Sequence, residues 1–230
     1  MKDKRTKQDL MKLLRQKDDE LRRAKRTINM ISLDLQKINV RLTFSCANQP
    51  TEFVQTALHR AKLEFNADIV DGQSNEYILK TYIAGSDGLG WNWLDTYQNG
   101  SFAWCGAFAA FCYGLTLKST VRSRTMPSCY RMYRDWRNTT RCHNGQDLEI
   151  GDIVTVYNSK DPNKRAATPQ GNHIVIVKEL PKNGEFETYE GNAKGYGPEG
   201  NWREGVSTRK REISTIAHVY RLLQEDFNGY

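Results

Sequence analysis

The sequence has no apolar run approaching the roughly 18 residues that a membrane-spanning helix requires, which excludes an integral membrane protein of the helical kind. Its first residues, MKDKRTKQDLMKLLRQKDDE, lack both an apolar stretch and a small-residue cleavage site, so no secretory signal is read there. Cysteine is sparse: five residues (Cys46, Cys105, Cys112, Cys129 and Cys142), an odd number with no CxxC pair. That argues against a disulfide framework and against a four-cysteine zinc site. Wholesale disorder is excluded as well, because 38% of the 230 residues are hydrophobic and 10% aromatic, enough for a core.

The positive charge is unevenly spread. Residues 1–45 hold 13 Lys and Arg against 6 Asp and Glu, a net of +7, which is the net charge of the whole chain. Residues 46–230 are therefore neutral overall, and the basic pI belongs to the N-terminal arm. One local excess remains: between Lys118 and Arg141 there are seven basic residues and a single acid, Asp135. Such a segment suits a phosphate- or carboxylate-bearing partner, or is simply a solvated face beside acidic loops.

Neither Gly nor Pro interrupts residues 10–42. Leu14, Leu21, Ile28, Leu35 and Leu42 recur every seven residues, with Leu10, Lys17, Ala24, Ile31 and Ile38 as a second row. A 3.5-residue period held over more than four heptads predicts a long helix with a coiled-coil seam, hence a homo-oligomer or a partner helix. The same seam disfavours nucleic acid as the arm's partner, since that reading rests on charge alone. Residues 46–50, ending at Pro50, read as a linker, and the domain follows over 51–230.

Within the domain, helical spacing of Phe53, Ala57, Ala61 and Phe65 predicts a helix over 51–66, and NEYILKTYIA a second over 75–84. Residues 85–101 read as a loop, and the apolar CGAFAAFCYGLTL as a buried helix over 105–117. The periodicity then switches to strands at 152–157, 173–180, 185–190, 206–213 and 216–223, with an Asn183-Gly184 hairpin turn. Helices followed by an antiparallel meander predict an α+β fold, a helical N-terminal half on an antiparallel sheet.

One constellation carries chemistry. Cys105 falls at the first turn of the buried helix, where the dipole and unpaired N–H groups favour a thiolate and offer oxyanion donors. Gly106 and Ala107 leave room for a substrate backbone. His173 opens a strand, and Glu190-Gly191-Asn192 ends the next strand across the hairpin. Antiparallel pairing brings the start of one beside the end of the other, so His173 meets Glu190 or Asn192. Nucleophile, base and orienting group are then together, as in a Cys-His-polar triad.

The segments SFAWCGAFAAFCYG, LEIGDIVTVY, GNHIVIV and YEGNA, in that order, resemble the CHAP and NlpC/P60 family of papain-like cysteine amidases and endopeptidases. The likeness is closer to the CHAP branch, because the third element reads Glu190-Gly191-Asn192 rather than a second His. GQSNEYILKTYIAG also looks like the helix before the catalytic Cys in phage-type members, and the resemblance covers about 51–222. It implies a papain-like fold with Cys105 as nucleophile and His173 as general base. Glu190 would orient the imidazole, and Asn192 would be an auxiliary or the orienter itself. It also implies an amide bond of peptidoglycan as substrate, cut between sugar and stem peptide or within the peptides, although some members act on other amides. Some CHAP members bind calcium through carboxylates before the nucleophile. Asp87 and Asp95 do not match that pattern, so neither metal nor cofactor is expected.

A phage lytic or virion-associated enzyme is the resulting expectation: made in the host cytoplasm, then found in the virion or cell envelope, with the arm holding it to itself or to virion components. The alternatives are a cysteine hydrolase toxin with a non-wall substrate and an inactive papain-like scaffold. Of the remaining residues, Cys112 reads as a core thiol, and Cys129 and Cys142 as a pair or as two free thiols. His143 reads as a surface loop residue, His59 and His218 as structural, and Asp152 as a turn residue. Trp91, Trp93, Tyr97, Tyr196 and Trp202 read as loop aromatics that either line a substrate groove or anchor their loops.

Overall fold

The computed structural model describes residues 49–83, 103–114, 117, 118 and 120–227, together with positions 17, 20, 23, 24 and 27. The chain divides into two units, Met1–Ala47 and Asn48–Tyr230. The five described positions of the first unit are helical, and Lys17 pairs with Glu20 one turn away. The rest of the heptad seam lies outside the described residues, as does the 85–101 loop with Trp91, Trp93, Tyr97, Asp87 and Asp95.

The second unit is α+β. Helix α1 (Gln49–Asn66) buries Phe53, Ala57 and Ala61, four residues apart, against the sheet and its partner helices. It starts two residues earlier than its spacing implies: Pro50, read above as the end of a linker, lies in its first turn, where a proline has no intrahelical N–H to lose. Helix α2 (Asn75–Ile78) widens into a π-helical turn (Leu79–Ile83) that buries Tyr82 and Ile83. Helix α3 (Cys105–Tyr113) is buried nearly all round. It stops short of residue 117 because Gly114, at φ 69°, takes a backbone conformation that L side chains rarely adopt.

The basic segment holds structure that the sequence reading left undescribed: a π-helical turn (Thr120–Thr125) and helix α4 (Cys129–Trp136). Ser128 caps α4 by accepting from the Arg131 N–H, and Met132 and Trp136 are its buried anchors.

Six strands follow, all antiparallel: β1 (Cys142–His143), β2 (Ile153–Val156), β3 (His173–Lys182), β4 (Glu185–Tyr196), β5 (Trp202–Glu212) and β6 (Ile216–Tyr220). Helix α5 (Pro162–Ala167) lies between β2 and β3, capped by Asp161. The sheet order is β1-β6-β2-β3-β4-β5. β2 to β5 form the expected meander, but β6 returns to the far side of β2 rather than continuing past β5. Strict alternation separates two apolar faces. Ile153, Ile174, Ile176 and Tyr189 meet the helices, while Val154, Val156, Val175, Val177 and Phe186 fill a smaller core behind the sheet.

Candidate active site

Cys105 is the first residue of α3 and is 4% exposed. Trp104 before it offers no side-chain oxygen, so the first-turn N–H groups lack a side-chain cap and point their partial positive charge toward the thiol. The backbone N–H groups of Gly106 and of Ile174, from β3, both act on the sulfur in the sense that favours its anion. Gly106 does not open space for a substrate, as its size suggested. A Cβ there would stand 2.6 Å from the Met126 carbonyl oxygen and 2.7 Å from the Pro127 Cα. Its smallness lets the chain's own backbone close against the start of α3.

His173 opens β3, also 4% exposed, and stands beside Cys105, close enough for its charge and its ring N–H to act on the thiol. Its Nε2 lies 3.0 Å from Glu190 Oε2, which leaves Nδ1 as the ring nitrogen for the thiol. The register explains the contact. Ile176 faces Tyr189 and Val177 faces Thr188, so the same register sets Glu190 opposite Val175. Glu190 therefore shares a sheet face with His173 as a diagonal neighbour.

Asn192, which sequence alone did not separate from Glu190, would stand directly opposite His173 in an unbroken ladder. The β3–β4 partners do not extend that far; they begin at Ile176 and Tyr189. The β4–β5 register shifts between Glu190 and Ala193, and Asn192 sits at φ 56° in the left-handed region. The bulge re-aims Asn192, and the hydrogen bond to His173 comes from Glu190. Gly191 between them faces α3: a Cβ there would lie 2.5 Å from Phe108 Cβ and 2.7 Å from the Trp104 ring. A glycine at this point lets the helix that carries Cys105 dock onto the strand that carries Glu190.

Behind Glu190 stands a group the sequence reading missed. Arg211 grips both carboxylate oxygens, Nε to Oε1 at 2.7 Å and a terminal nitrogen to Oε2 at 2.6 Å. Thr188 donates to Oε1 at 2.6 Å, and Asn158 accepts from the guanidinium at 3.0 Å. Glu190 is fully buried and Arg211 is 5% exposed. A signal existed in the sequence: the acidic run EFETYE of β4 lies opposite the basic run STRKRE of β5. Which arginine turns inward depends on register, which composition does not give.

These contacts set the charges. Burial resists ionisation of Cys105, but the charge and hydrogen bond of His173 and the two N–H donors outweigh it, and the thiol pKa falls below its ordinary value. For His173 burial acts downward, yet Cys105 and then Glu190 push its pKa up to about 9. Glu190 is held well below the usual carboxylate range: burial opposes this, and the Arg211 and His173 hydrogen bonds overcome it. The arrangement favours a thiolate–imidazolium pair steadied by a carboxylate that stays ionised.

Other expected residues fall elsewhere. Cys112 is buried in the core, and Cys129 and Cys142 are free thiols. His143 lies in β1, half-buried, rather than in a surface loop. His59 lies on α1 and His218 on β6. Asp152 accepts from the Glu149 N–H as a turn residue does, and also pairs with Arg221. Tyr196 and Trp202 are not loop residues: they end β4 and begin β5, exposed and packed edge to face at 5.1 Å. Among the described residues no group of three or more His, Cys, Asp or Glu is arranged to hold a metal. Comparison of the chain with models of known protein families, with characterised proteins and with solved structures returns no match.

Proposed function

We propose that the chain is a papain-like cysteine hydrolase of CHAP type that cleaves an amide bond of peptidoglycan, as an amidase or endopeptidase of a phage lytic or virion-associated system. The observation that carries this reading is the buried chain of contacts from Cys105 through His173 to Glu190. A thiol at a helix N-terminus, ionised by a histidine whose far nitrogen is fixed by a carboxylate, is built for acyl transfer. The choice of cell wall as substrate rests on the resemblance of the SFAWCG, GNHIVIV and YEGNA segments to that family.

In this mechanism the Cys105 thiolate attacks the scissile carbonyl carbon, and the oxyanion that forms takes hydrogen bonds from N–H groups at the start of α3. The His173 imidazolium gives its proton to the departing amine as the C–N bond breaks, leaving a thioester on Cys105. Neutral His173 then takes a proton from water, whose hydroxide attacks the thioester. The acid product leaves, and the proton returns the pair to its starting state.

A second reading, an inactive scaffold, draws on the 4% exposure of both Cys105 and His173, which a purely structural polar cluster would also have. Purified sacculi separate the two. Wild-type protein is expected to release soluble fragments whose new termini name the bond, and Cys105→Ala to release none. Absence of release across several wall chemotypes, from well-folded protein, defeats the cell-wall reading.

A further inference from the structure

The catalytic cysteine lies at one end of a side-chain row that leads outward along α4. Pro127 closes against Gly106, next to the nucleophile. Two residues on, Cys129 begins α4, and its thiol is pushed up first by burial and then by the charge of Cys105. Tyr133 and Arg137 follow at successive four-residue steps on the same side of the helix, so the row runs roughly 12 Å from Cys129 to Arg137.

The sheet locates the row independently. Thr155 pairs with both His218 and Ile174, so the three residues lie side by side on the helical face. The Ile174 N–H acts on the Cys105 sulfur, which puts His218 about two strand spacings, roughly 10 Å, from that group. The Tyr133 ring packs against His218 at 4.9 Å.

Arg137 ends the row with its charge displayed. Its guanidinium lies 4.7 Å over the Tyr133 ring and donates to the Tyr133 hydroxyl at 2.7 Å, so its direction is fixed. Two neighbours in the basic segment are compensated: Arg134 by Asp135, and Arg141 by Asp226 and Glu225. Arg137 has no carboxylate partner among the described residues. Burial holds the His218 pKa down, against the Pro169 carbonyl that accepts its Nε2–H at 3.0 Å and with the help of the Arg137 charge. An oriented, uncompensated guanidinium, held by an aromatic ring and a short walk from a nucleophile, is suited to bind a carboxylate.

We propose that Tyr133 and Arg137, backed by His218, form a carboxylate-recognising subsite that makes acidic peptides the substrate class of the Cys105 centre. This rests on the hydrolase reading above and names which amides it takes. Arg137 lies two turns of α4 beyond Cys129, so the carboxylate recognised is not at the scissile bond but further along the same peptide.

The test uses synthetic stem peptides in which each carboxylate in turn is replaced by its carboxamide. Wild-type full-length protein is expected to lose about tenfold in kcat/KM for one such replacement, an effect that shrinks at high salt. In Arg137→Gln that preference disappears, and acid and carboxamide peptides are cut with equal kcat/KM. Equal cutting of acid and amide peptides by wild type overturns the subsite and leaves the hydrolase standing. The same preference in Arg137→Gln does so too. Should no peptide be cut, binding to Cys105→Ala read by calorimetry decides. Weaker binding of the free acid in Cys105→Ala/Arg137→Gln than in Cys105→Ala supports the subsite without the hydrolase. No binding by either overturns both.

Discussion

Helix α3 carries two buried cysteines, two turns apart, and each lies near a buried glutamate, yet their chemistry diverges. Cys105 at the first turn meets His173, and through it Glu190 and Arg211. Cys112 in the helix interior faces Glu64, whose carboxylate accepts from the Tyr77 hydroxyl at 2.9 and 3.0 Å and also from Tyr82. Burial and the Glu64 charge push the Cys112 thiol well up, with Arg60 pulling weakly the other way. Tyr82 shifts upward for the same reasons, burial first and Glu64 second. A buried carboxylate beside a cysteine is therefore not itself a site. What converts it is an intervening histidine, whose charge beside the sulfur outweighs the cost of burial.

The strongest way to break this comparison is to remove the two thiols in turn. Cys105→Ala should lower hydrolysis by about 10⁴-fold or more, whereas Cys112→Ala should cost stability through a small cavity and leave kcat nearly intact. Comparable losses in both, measured on folded protein, would erase the distinction. Next in size is the compensation itself. Arg211→Met leaves the Glu190 carboxylate buried without its cation, which should cost about 3–5 kcal/mol in urea denaturation. The double variant Arg211→Met/Glu190→Gln should recover part of that loss but not the activity. Recovery of activity along with stability would show that Glu190 only fills space.

A smaller effect concerns docking. Gly191→Ala forces a methyl group into Phe108 and Trp104, and should cost about 1–3 kcal/mol and slow turnover by separating Cys105 from His173. Unchanged melting temperature and kcat would mean that α3 and β4 tolerate separation. Smallest is the sharpening by charge: His173, at about 9 in the wild type, should titrate lower in Cys105→Ser, because the anionic sulfur that raises it is gone. An unchanged histidine titration by NMR would assign the shift to Glu190 instead.

Much of this architecture was readable from residue order because it depends on local pattern. The four-residue spacing of α1, the apolar run of α3 and the β-branched strands each declare themselves, and the Asn183-Gly184 turn fixes which ends of β3 and β4 meet. Hence Cys105, His173 and Glu190 were nameable together. What stayed hidden depends on register or on backbone irregularity. The bulge that separates Glu190 from Asn192 requires a positive φ that no glycine announces. Arg211 is one of several basic residues in a β5 run, and only pairing with Phe186 puts it on the face of Glu190. Helix α4 has a short apolar signal, Met132 and Trp136 amid arginines, which reads as charge before it reads as amphipathic. The return of β6 beside β2 is a long-range choice that strand periodicity does not encode.

The most direct measurement is the rate of Cys105 alkylation by iodoacetamide across pH, read by peptide mapping with Cys112 as the internal reference. A thiolate held by His173 predicts modification of Cys105 that begins well below pH 9, the ordinary thiol value, with Cys112 unmodified throughout. Reaction of Cys105 that sets in only above that pH, or at the same rate as Cys112, would contradict the ion pair at the centre of this account.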